Sequence, residues 1–294
     1  MPRTQTKWAS VGVFVIIHLI AVVALFNFSW KGFWTFIFLS WVTGCLGICT
    51  SYHRHLTHRS FEVWKPLEYF LAFCGCLALQ NGPIKWVATH RLHHARSDQP
   101  KDPHSPTKGF WWAHMGWLFA FVDELDDYEQ YKKYAPDLAK KPVYRFMDKY
   151  FAWSQVPLGI ALYFWGGVPM ILWGIFARLI FVWHSTWLVN SAAHIWGYRT
   201  WATQDQSTNN WWVALLTFGE GWHNNHHAFL RSARHGLQWW EFDLTYWTIV
   251  AFRTLGLASK IQLPTEELKN RFAQKTGNII PNPTVADSYQ EVAA

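Results

Sequence analysis

The chain has 294 residues, of which 51% are hydrophobic and only 15% charged, and it contains 22 Trp and 22 Phe. This composition excludes a disordered chain and disfavours an ordinary soluble domain. The net charge of +7 suits an anionic membrane leaflet or an anionic substrate headgroup, and no long basic run indicates a nucleic-acid partner. We therefore expect a lipid bilayer around the protein.

Apolar segments predict four transmembrane helices. A bilayer core about 30 Å thick needs about 20 apolar residues of helix. The segments closest to this length, paired as two antiparallel hairpins, are 8–28 with 33–50 and 151–165 with 168–189. The sequence thus predicts an all-α integral membrane protein with four spans.

The basic residues predict the orientation of these spans. Most Lys and Arg lie in two polar blocks, 51–148 and 190–260, which we expect to form a cytosolic helical cap that holds a di-metal site. Both termini are then cytosolic. Arg178 lies within a predicted span and should face the protein interior or reach the interface. We expect a single domain over 1–260, followed by a polar tail, 261–294.

Histidines carry the strongest functional signal. Most of the 15 His lie in three short motifs, HRHLTH at 53–58, HRLHH at 90–94 and HNNHH at 223–227. Positions i, i+3 and i+4 share one face of a helix, so each HxxHH motif should present three imidazoles to a common point. Two such faces predict two metal ions.

The first motif has a different spacing. His53 and His58 are five residues apart, about 7.5 Å along an α-helix axis, which is too far for one ion on a continuing helix. We expect them to serve one or two neighbouring ions if the helix ends there, and His55 is the doubtful member.

A fourth element, Asn190-Ser-Ala-Ala-His194, adds an i, i+4 pair. His194 is a candidate ninth imidazole, and Asn190 is a weaker oxygen donor, acting through a water, that would leave a coordination position for dioxygen. Imidazole ligands suit zinc, copper, iron or nickel. A structural zinc site needs only four ligands, and no HExxH motif indicates a zinc peptidase. The pattern predicts a histidine-rich dinuclear redox centre beside the bilayer.

The three motifs, with the strings GPIKWVATHRLHH, TWLVNSAAH and GEGWHNNHHAF, closely resemble the membrane-bound fatty acyl desaturases of the stearoyl-type Δ9 subgroup. The resemblance covers about residues 8–260. It implies four transmembrane helices under a cytosolic cap, two Fe²⁺ ions and O₂ as co-substrate. The metal ligands that it implies are His53, His58, His90, His93, His94, His194, His223, His226 and His227, with Asn190 at a water-bridged position.

The same resemblance implies a kinked acyl tunnel. The residues that match its shaping positions are Gln80, Trp86, Thr186 and Trp187. His55 matches no ligand and is expected to have a supporting or structural role.

Other site residues are predicted from their proximity to the motifs. Ligating histidines commonly donate their second ring N–H to a carboxylate, and the carboxylates beside the motifs are Asp98, Asp102 and Glu220. An anionic substrate headgroup could bind the cationic candidates Arg91, Arg96 and Lys101, with His104 nearby.

The expected reaction introduces a cis double bond, most simply at Δ9, into a saturated long-chain acyl substrate that arrives as acyl-CoA or acyl-lipid. The sequence carries no flavin or dinucleotide motif, so we expect an external ferredoxin or b-type cytochrome to supply electrons. Two alternatives stay open. One is a membrane di-iron fatty acid hydroxylase or alkane oxygenase, and the other is a histidine-lined metal transporter, which would need its ligands within the spans.

Overall fold

The computed structural model describes residues 5–121 and 127–273, so the predicted C-terminal tail lies outside the described residues from position 274 onward. Helices dominate this structure. The α-helices are Trp8–Leu25, Trp30–Ser40, Lys65–Cys76, Pro83–Arg96, Phe110–His114, Tyr128–Tyr134, Pro136–Ala139, Pro142–Tyr150, Gln155–Gly166, Val168–Ile171, Arg178–Asn190, Trp211–Leu216, His223–Ala228, Leu244–Thr254 and Glu266–Phe272.

The remaining regular segments are short or unusually wound. Two segments are π-helical, Trp41–Thr57 and Leu172–Ala177, and the 3₁₀ turns are Pro106–Lys108, Gly116–Phe119, Phe151–Ser154 and Ala192–His194. One two-stranded antiparallel sheet pairs Glu62–Val63 with Ala258–Ser259. This sheet joins the segment after the first histidine motif to the C-terminal part of the chain.

Three helices in the described ranges are long and apolar enough to cross a membrane. We call Trp8–Leu25 the first, Trp30–Thr57 the second and Val168–His194 the third long helix. Only 6% of the apolar 18-residue window of the first long helix is buried, whereas 56% of the corresponding window is buried in each of the other two. The first long helix therefore presents most of its apolar surface outward, as a lipid-facing helix does, while the other two form the interior.

The prediction of four spans is not confirmed. Residues 151–165 form the 3₁₀ turn Phe151–Ser154 and the 12-residue α-helix Gln155–Gly166, which is shorter than the roughly 20 residues that a span needs. Gly167, with a φ of 74°, turns the chain into the third long helix. The second hairpin thus exists, with one arm of full spanning length and one shorter arm.

The second long helix continues seven residues beyond its predicted end at residue 50. Residues 51–57 are all buried, so the helix passes into the protein interior and carries the first histidine motif with it. The Lys65–Cys76 helix packs closely against it. A Cβ atom on Gly47 would lie 2.5 Å from the backbone carbonyl carbon of Cys74, so only glycine permits this approach.

Arg178 faces the protein interior, as predicted, and is fully buried. Its guanidinium donates to the carbonyl of Gly174 and to Oε1 of Gln155, each at 3.0 Å, and also to the carbonyl of Leu77. This cation therefore links the third long helix to the end of the Lys65–Cys76 helix and to the Gln155–Gly166 helix.

Candidate metal centre

Nine buried or half-buried imidazoles gather in two adjacent groups. The first cluster consists of His53, His58, His90, His94 and His226. The second cluster consists of His93, His194, His223 and His227. Within each cluster one ring nitrogen of every member lies within 4.8 Å of the others. All nine histidines predicted as ligands are therefore brought together, and His55 is in neither cluster.

His53 and His58 both belong to the first cluster, and the helix that carries them ends at Thr57, which is the condition that the expectation set. The segment that carries them is π-helical, with i to i+5 hydrogen bonds such as that from the His58 amide to the His53 carbonyl at 3.2 Å. This wider winding places residues five apart on neighbouring turns, and the two ring centroids are 4.8 Å apart. The sequence does not show that this segment is π-helical rather than α-helical.

The three histidines of an HxxHH motif do not all join one cluster, contrary to the prediction that each motif faces a common point. On an α-helix, residues i and i+4 are about 40° apart around the axis, whereas i+3 lies on the other side of i. His90 and His94 accordingly join the first cluster, while His93 joins the second.

In the third motif the i and i+4 residues again share a cluster, but here it is the second cluster. His223 and His227 join the second cluster, and His226 joins the first. Each helix therefore contributes ligating groups to both clusters, which holds the two clusters side by side.

The nitrogen atoms are spaced as ligands of a common ion would be. In the first cluster Nε2 of His226 lies 3.1 Å from Nε2 of both His53 and His94. A metal–imidazole bond is about 2.0–2.1 Å, so two nitrogens at a right angle around an ion are separated by about 3 Å. The first cluster fits a metal ion.

Orphaned nitrogens give a second test of the fit. Among the described residues, five buried histidine Nε2 atoms have no hydrogen-bond partner. Four of them belong to the clusters, those of His58, His93, His194 and His227, and the fifth is that of His235. An unpaired buried polar atom is costly in a protein interior, so the four cluster nitrogens fit metal binding at both clusters.

The electrostatic environment keeps most of these imidazoles neutral and thus able to bind a metal. Burial, followed by repulsion from neighbouring imidazoles, holds the pKa values of His58, His90 and His94 well below the usual range. The pKa values of His223 and His226 are lowered by the same causes. Burial would also lower the pKa of His93, but the Asp102 carboxylate raises it above its usual value.

The three predicted carboxylates each contact a cluster histidine. Oε2 of Glu220 lies 2.8 Å from Nδ1 of His53. Oδ2 of Asp102 lies 3.0 Å from Nδ1 of His93, and Oδ1 of Asp98 lies 3.2 Å from Nδ1 of His194. Such bonds fix the ring orientation and leave Nε2 directed at the metal position.

A fourth carboxylate, Asp205, was missed by the sequence reasoning. Its Oδ2 lies 2.9 Å from Nδ1 of His227, 22 residues away in the chain, and it also bonds Ser207. Burial would raise the pKa of Asp205, yet His227 beside it lowers the pKa well below the usual range. No motif surrounds Asp205, so only the folded chain reveals this contact.

Two further histidines adjoin the clusters without having been predicted as ligands. Nδ1 of His235 lies 2.9 Å from Oε2 of Glu220, and its ring lies 4.5 Å from that of His226. His104 lies 4.3 Å from the His93 ring. Burial holds the pKa of His235 at about 4 and that of His104 at about 3, so both are neutral at pH 7.

His55 has its own partners away from both clusters. Its Nδ1 bonds the Phe61 carbonyl and its Nε2 bonds Oε2 of Glu68, each at 3.0 Å. Glu68 also accepts from the Tyr144 hydroxyl at 2.5 Å. These contacts fit the supporting role expected for His55.

The four predicted tunnel residues line one large cavity of about 670 Å³. Trp86 donates to Oε1 of Gln80 at 3.3 Å, and Gln80 donates to Oγ1 of Thr186 at 3.0 Å. Trp187 stacks on Trp183, with ring centroids 5.8 Å apart. This main cavity is lined by apolar side chains, by this short hydrogen-bonded chain and by further polar side chains, among them Lys7, Lys85 and Thr89.

A smaller inner cavity of about 50 Å³ continues past Trp86. Four residues line both cavities, Trp86, His90, Thr186 and Asn190. The inner cavity lies among Gly44 and Ile48 of the second long helix and Phe218 beyond the third. Asn190, the predicted weak ligand, thus lies at the junction of the cavities, four residues before His194.

The predicted headgroup residues differ in their burial in the structure. Arg91 is buried, and its Nη1 bonds Oδ1 of Asp137 at 2.7 Å, so its charge is engaged within the protein; this corrects the expectation of an accessible cation. His104 is buried beside His93. Arg96 is half-buried and Lys101 is exposed.

A sequence model of the fatty acid desaturases matches residues 28–255. The chain belongs to the fatty acid desaturase family. This desaturase is 51% identical over 263 residues to the sn-1 stearoyl-lipid 9-desaturase of Anabaena variabilis, covering 89% of this chain and 96% of the relative. It is therefore an oxidoreductase, as the histidine motifs predicted.

Two further relatives extend the comparison. The sn-2 palmitoyl-lipid 9-desaturase of Nostoc sp. (strain 36) is 50% identical over 258 residues, 87% of this desaturase and 90% of the relative. The chloroplastic palmitoyl-monogalactosyldiacylglycerol delta-7 desaturase of Arabidopsis thaliana is 47% identical over 266 residues, 90% of this chain and 71% of the relative.

Proposed function

We propose that the protein is an acyl-lipid desaturase that introduces a cis double bond at the Δ9 position of a saturated chain. One observation carries the proposal: His90 belongs to the first cluster and also lines both cavities. An acyl chain that passes from the main cavity into the inner cavity would run directly beside the cluster.

The two clusters would each hold one iron ion, with Asn190 near the second. Bound iron would supply the oxidising power, from O₂, that an unactivated methylene pair requires. The reaction consumes O₂, two electrons and two protons, removes two hydrogens from adjacent carbons, and yields one double bond and two waters.

The residues of this chain would bind and orient the substrate. The main cavity would hold the carboxyl half of the acyl chain, and the methyl half would extend towards the inner cavity. Trp86, Gln80 and Thr186 form a bonded group at the junction, where the chain would have to bend. A bend there favours the conformation that gives a cis product.

A membrane lipid is the substrate class that we favour over acyl-CoA. The relatives at 50% and 51% identity are named for palmitoyl-lipid and stearoyl-lipid. Arg91, the predicted headgroup cation within the second motif, is ion-paired with Asp137 and buried. The main cavity is instead lined by Val13, Phe14 and Ile17 of the lipid-facing first long helix, which suits a substrate that enters from the bilayer.

We propose a cytosolic location for both termini and for both clusters, and a fourth crossing formed by residues 151–166. The outer surface of that segment supports a membrane location, because Phe164 is 84% exposed and Trp153 is 68% exposed. The external electron donor, a ferredoxin or a b-type cytochrome, would then dock on the cytosolic face.

Expression in a host that lacks Δ9-unsaturated lipids, with an electron donor supplied, tests the proposal. Intact lipids are analysed by mass spectrometry and any double bond is located after derivatisation. We expect a cis-9 monoene in intact lipids that disappears in His93→Ala and persists in His55→Gln, a matched histidine outside both clusters. A hydroxylated chain would indicate a membrane di-iron hydroxylase or alkane oxygenase. An unchanged lipid pool, with iron bound to the protein, would refute the proposed substrate class.

A further inference from the structure

Three histidines outside both clusters form a continuous chain of hydrogen bonds. Nε2 of His18, in the first long helix, lies 3.0 Å from Nε2 of His184 in the third. Nδ1 of His184 lies 2.9 Å from Nε2 of His114, and Nδ1 of His114 lies 3.0 Å from the hydroxyl of Ser191. We call these four residues the histidine chain.

The hydrogen bond at the His18 end determines which atom donates at each step of the histidine chain. Nδ1 of His18 lies 2.8 Å from the carbonyl oxygen of Phe14, which only accepts, so this nitrogen carries the hydrogen. In a neutral ring Nε2 must then accept from His184. His184 in turn accepts from His114 through Nδ1.

If each neutral ring donates through one nitrogen and accepts through the other, the last donor in the chain is Ser191. Its hydroxyl lies 3.0 Å from Nδ1 of His114 and 2.9 Å from the carbonyl oxygen of Trp187, so its one hydrogen is shared between these two acceptors. The neutral form is the stable one in an apolar environment, because an unpaired cation there is costly. The chain is thus satisfied without any charge.

This polarity excludes a proton-conducting role. The chain ends on a backbone carbonyl inside the first long helix, which can neither release nor pass on a proton. It therefore acts as a fixed strut between the first and third long helices.

The other end of the strut is attached beside the second cluster. Ser191 ends the α-helical part of the third long helix, directly after Asn190, and its carbonyl accepts the backbone N–H of His194 at 3.2 Å. On the opposite side the amide of Thr208 bonds the Ala193 carbonyl at 2.7 Å. The short turn that carries His194 is therefore held between Thr208 and the histidine chain.

We propose that His18, His184 and His114 are positioning residues that hold the Asn190–His194 turn in place and so maintain metal binding at the second cluster. The inference rests on the proposed metal centre. Loss of the chain should weaken the second cluster, whose His194 lies on this turn, and spare the first cluster, none of whose members lies on it.

Two substitutions at His184 separate hydrogen bonding from ring shape. Gln has one acceptor and one donor, as the neutral imidazole does here, whereas Phe keeps a ring but has neither. We expect His184→Phe to lower iron from about two to about one per chain, through a 10- to 100-fold weaker second site. His184→Gln should retain about two.

The matched control removes a different bond between the same two helices. Nε1 of Trp173, also in the third long helix, donates to the Asn27 carbonyl at 3.0 Å, just beyond the end of the first long helix. Trp173→Phe should leave the iron content unchanged. Equal iron in His184→Phe and Trp173→Phe would overturn the proposal, as would equal loss in His184→Phe and His184→Gln.

Hydrogen exchange in the metal-free protein gives a readout that does not depend on iron. The backbone amides of residues 191–194 should exchange about tenfold faster in His184→Phe than in the unmodified protein, and His18→Phe provides the same test from the far end of the chain. Unchanged exchange in both variants would overturn the positioning role. A protein that binds no iron would instead refute the metal centre, and exchange would still decide whether the turn is held.

Discussion

The two clusters use the same ligand chemistry but differ in the charges around them. Three of the four histidines in the second cluster bond a carboxylate, through Asp98, Asp102 and Asp205. In the first cluster only His53 does so, through Glu220.

The single carboxylate of the first cluster is also compensated by a cation. Glu220 is paired with the fully buried Arg54, which in turn bonds Asp243 at 2.9 Å. Burial would raise the pKa of Glu220, but Arg54, His235 and His53 hold it well below its usual range. An ion in the second cluster would therefore experience more negative charge than one in the first, which stabilises a more oxidised metal there.

Removal of one imidazole from each cluster should have the largest effect. We expect His58→Ala and His227→Ala each to abolish desaturation, by at least about 1,000-fold, because one ion alone cannot complete the reaction. Each variant should retain about one iron per chain, measured on purified protein beside the product analysis. Activity that survives in either variant would show that its cluster is dispensable.

The carboxylates should have a smaller and selective effect. Asp205→Asn keeps the size of the side chain but removes its charge beside His227, so the affinity of the second cluster for iron should fall 10- to 100-fold. Iron titration with a competing chelator measures this change. The first cluster should be unaffected, and parallel loss from both clusters would contradict the difference described above.

A change in the inner cavity should leave both clusters intact and alter only the choice of substrate. Phe218→Ala enlarges the space next to Gly44, so the enzyme should accept chains with one or two additional methylenes, with about a tenfold shift in relative turnover. Competition between saturated chains of different length in one culture measures the shift. Unchanged chain-length preference would place the end of the substrate elsewhere.

A carboxylate outside both clusters should affect only stability. Burial would raise the pKa of Asp137, but Arg91 and Arg59 lower it to about 2. This value lies below the unfolded value of about 3.9, so the ionised carboxylate stabilises the fold above about pH 4 and the contribution disappears as the pH falls towards 2.

Asp137→Asn should therefore cost about 2 kcal/mol at neutral pH. The difference from the unmodified protein should narrow as the solution is acidified, as measured by denaturant unfolding in detergent. Iron content should not change. A difference that is independent of pH would show that packing, and not charge, is the cause.

The nine clustered histidines were predictable from the sequence because eight lie in the three short motifs and His194 lies four residues after Asn190. Their division between two clusters was not, because it depends on whether a residue is i+3 or i+4 on its helix and on where that helix points. The i+5 winding at His53 and His58 was equally hidden, since the residue types in Trp41–Thr57 do not distinguish π- from α-helix.

Contacts between distant parts of the chain limited the other predictions. Asp205 reaches His227 across 22 residues and Arg91 reaches Asp137 across 46, and neither pairing leaves a local pattern. Arg91 was predicted to be an accessible cation for this reason. The sequence shows a basic residue within a motif but does not show that Asp137 pairs with it in the interior.

The contact between Gly47 and Cys74 has a consequence for where the double bond forms. It fixes the second long helix, which carries His53, against the Lys65–Cys76 helix, which leads within a few residues to Gln80 at the cavity junction. The first cluster and the cavity junction are thereby held at a constant separation. Counting carbons from the carboxyl end would then depend on a backbone contact that never touches the lipid.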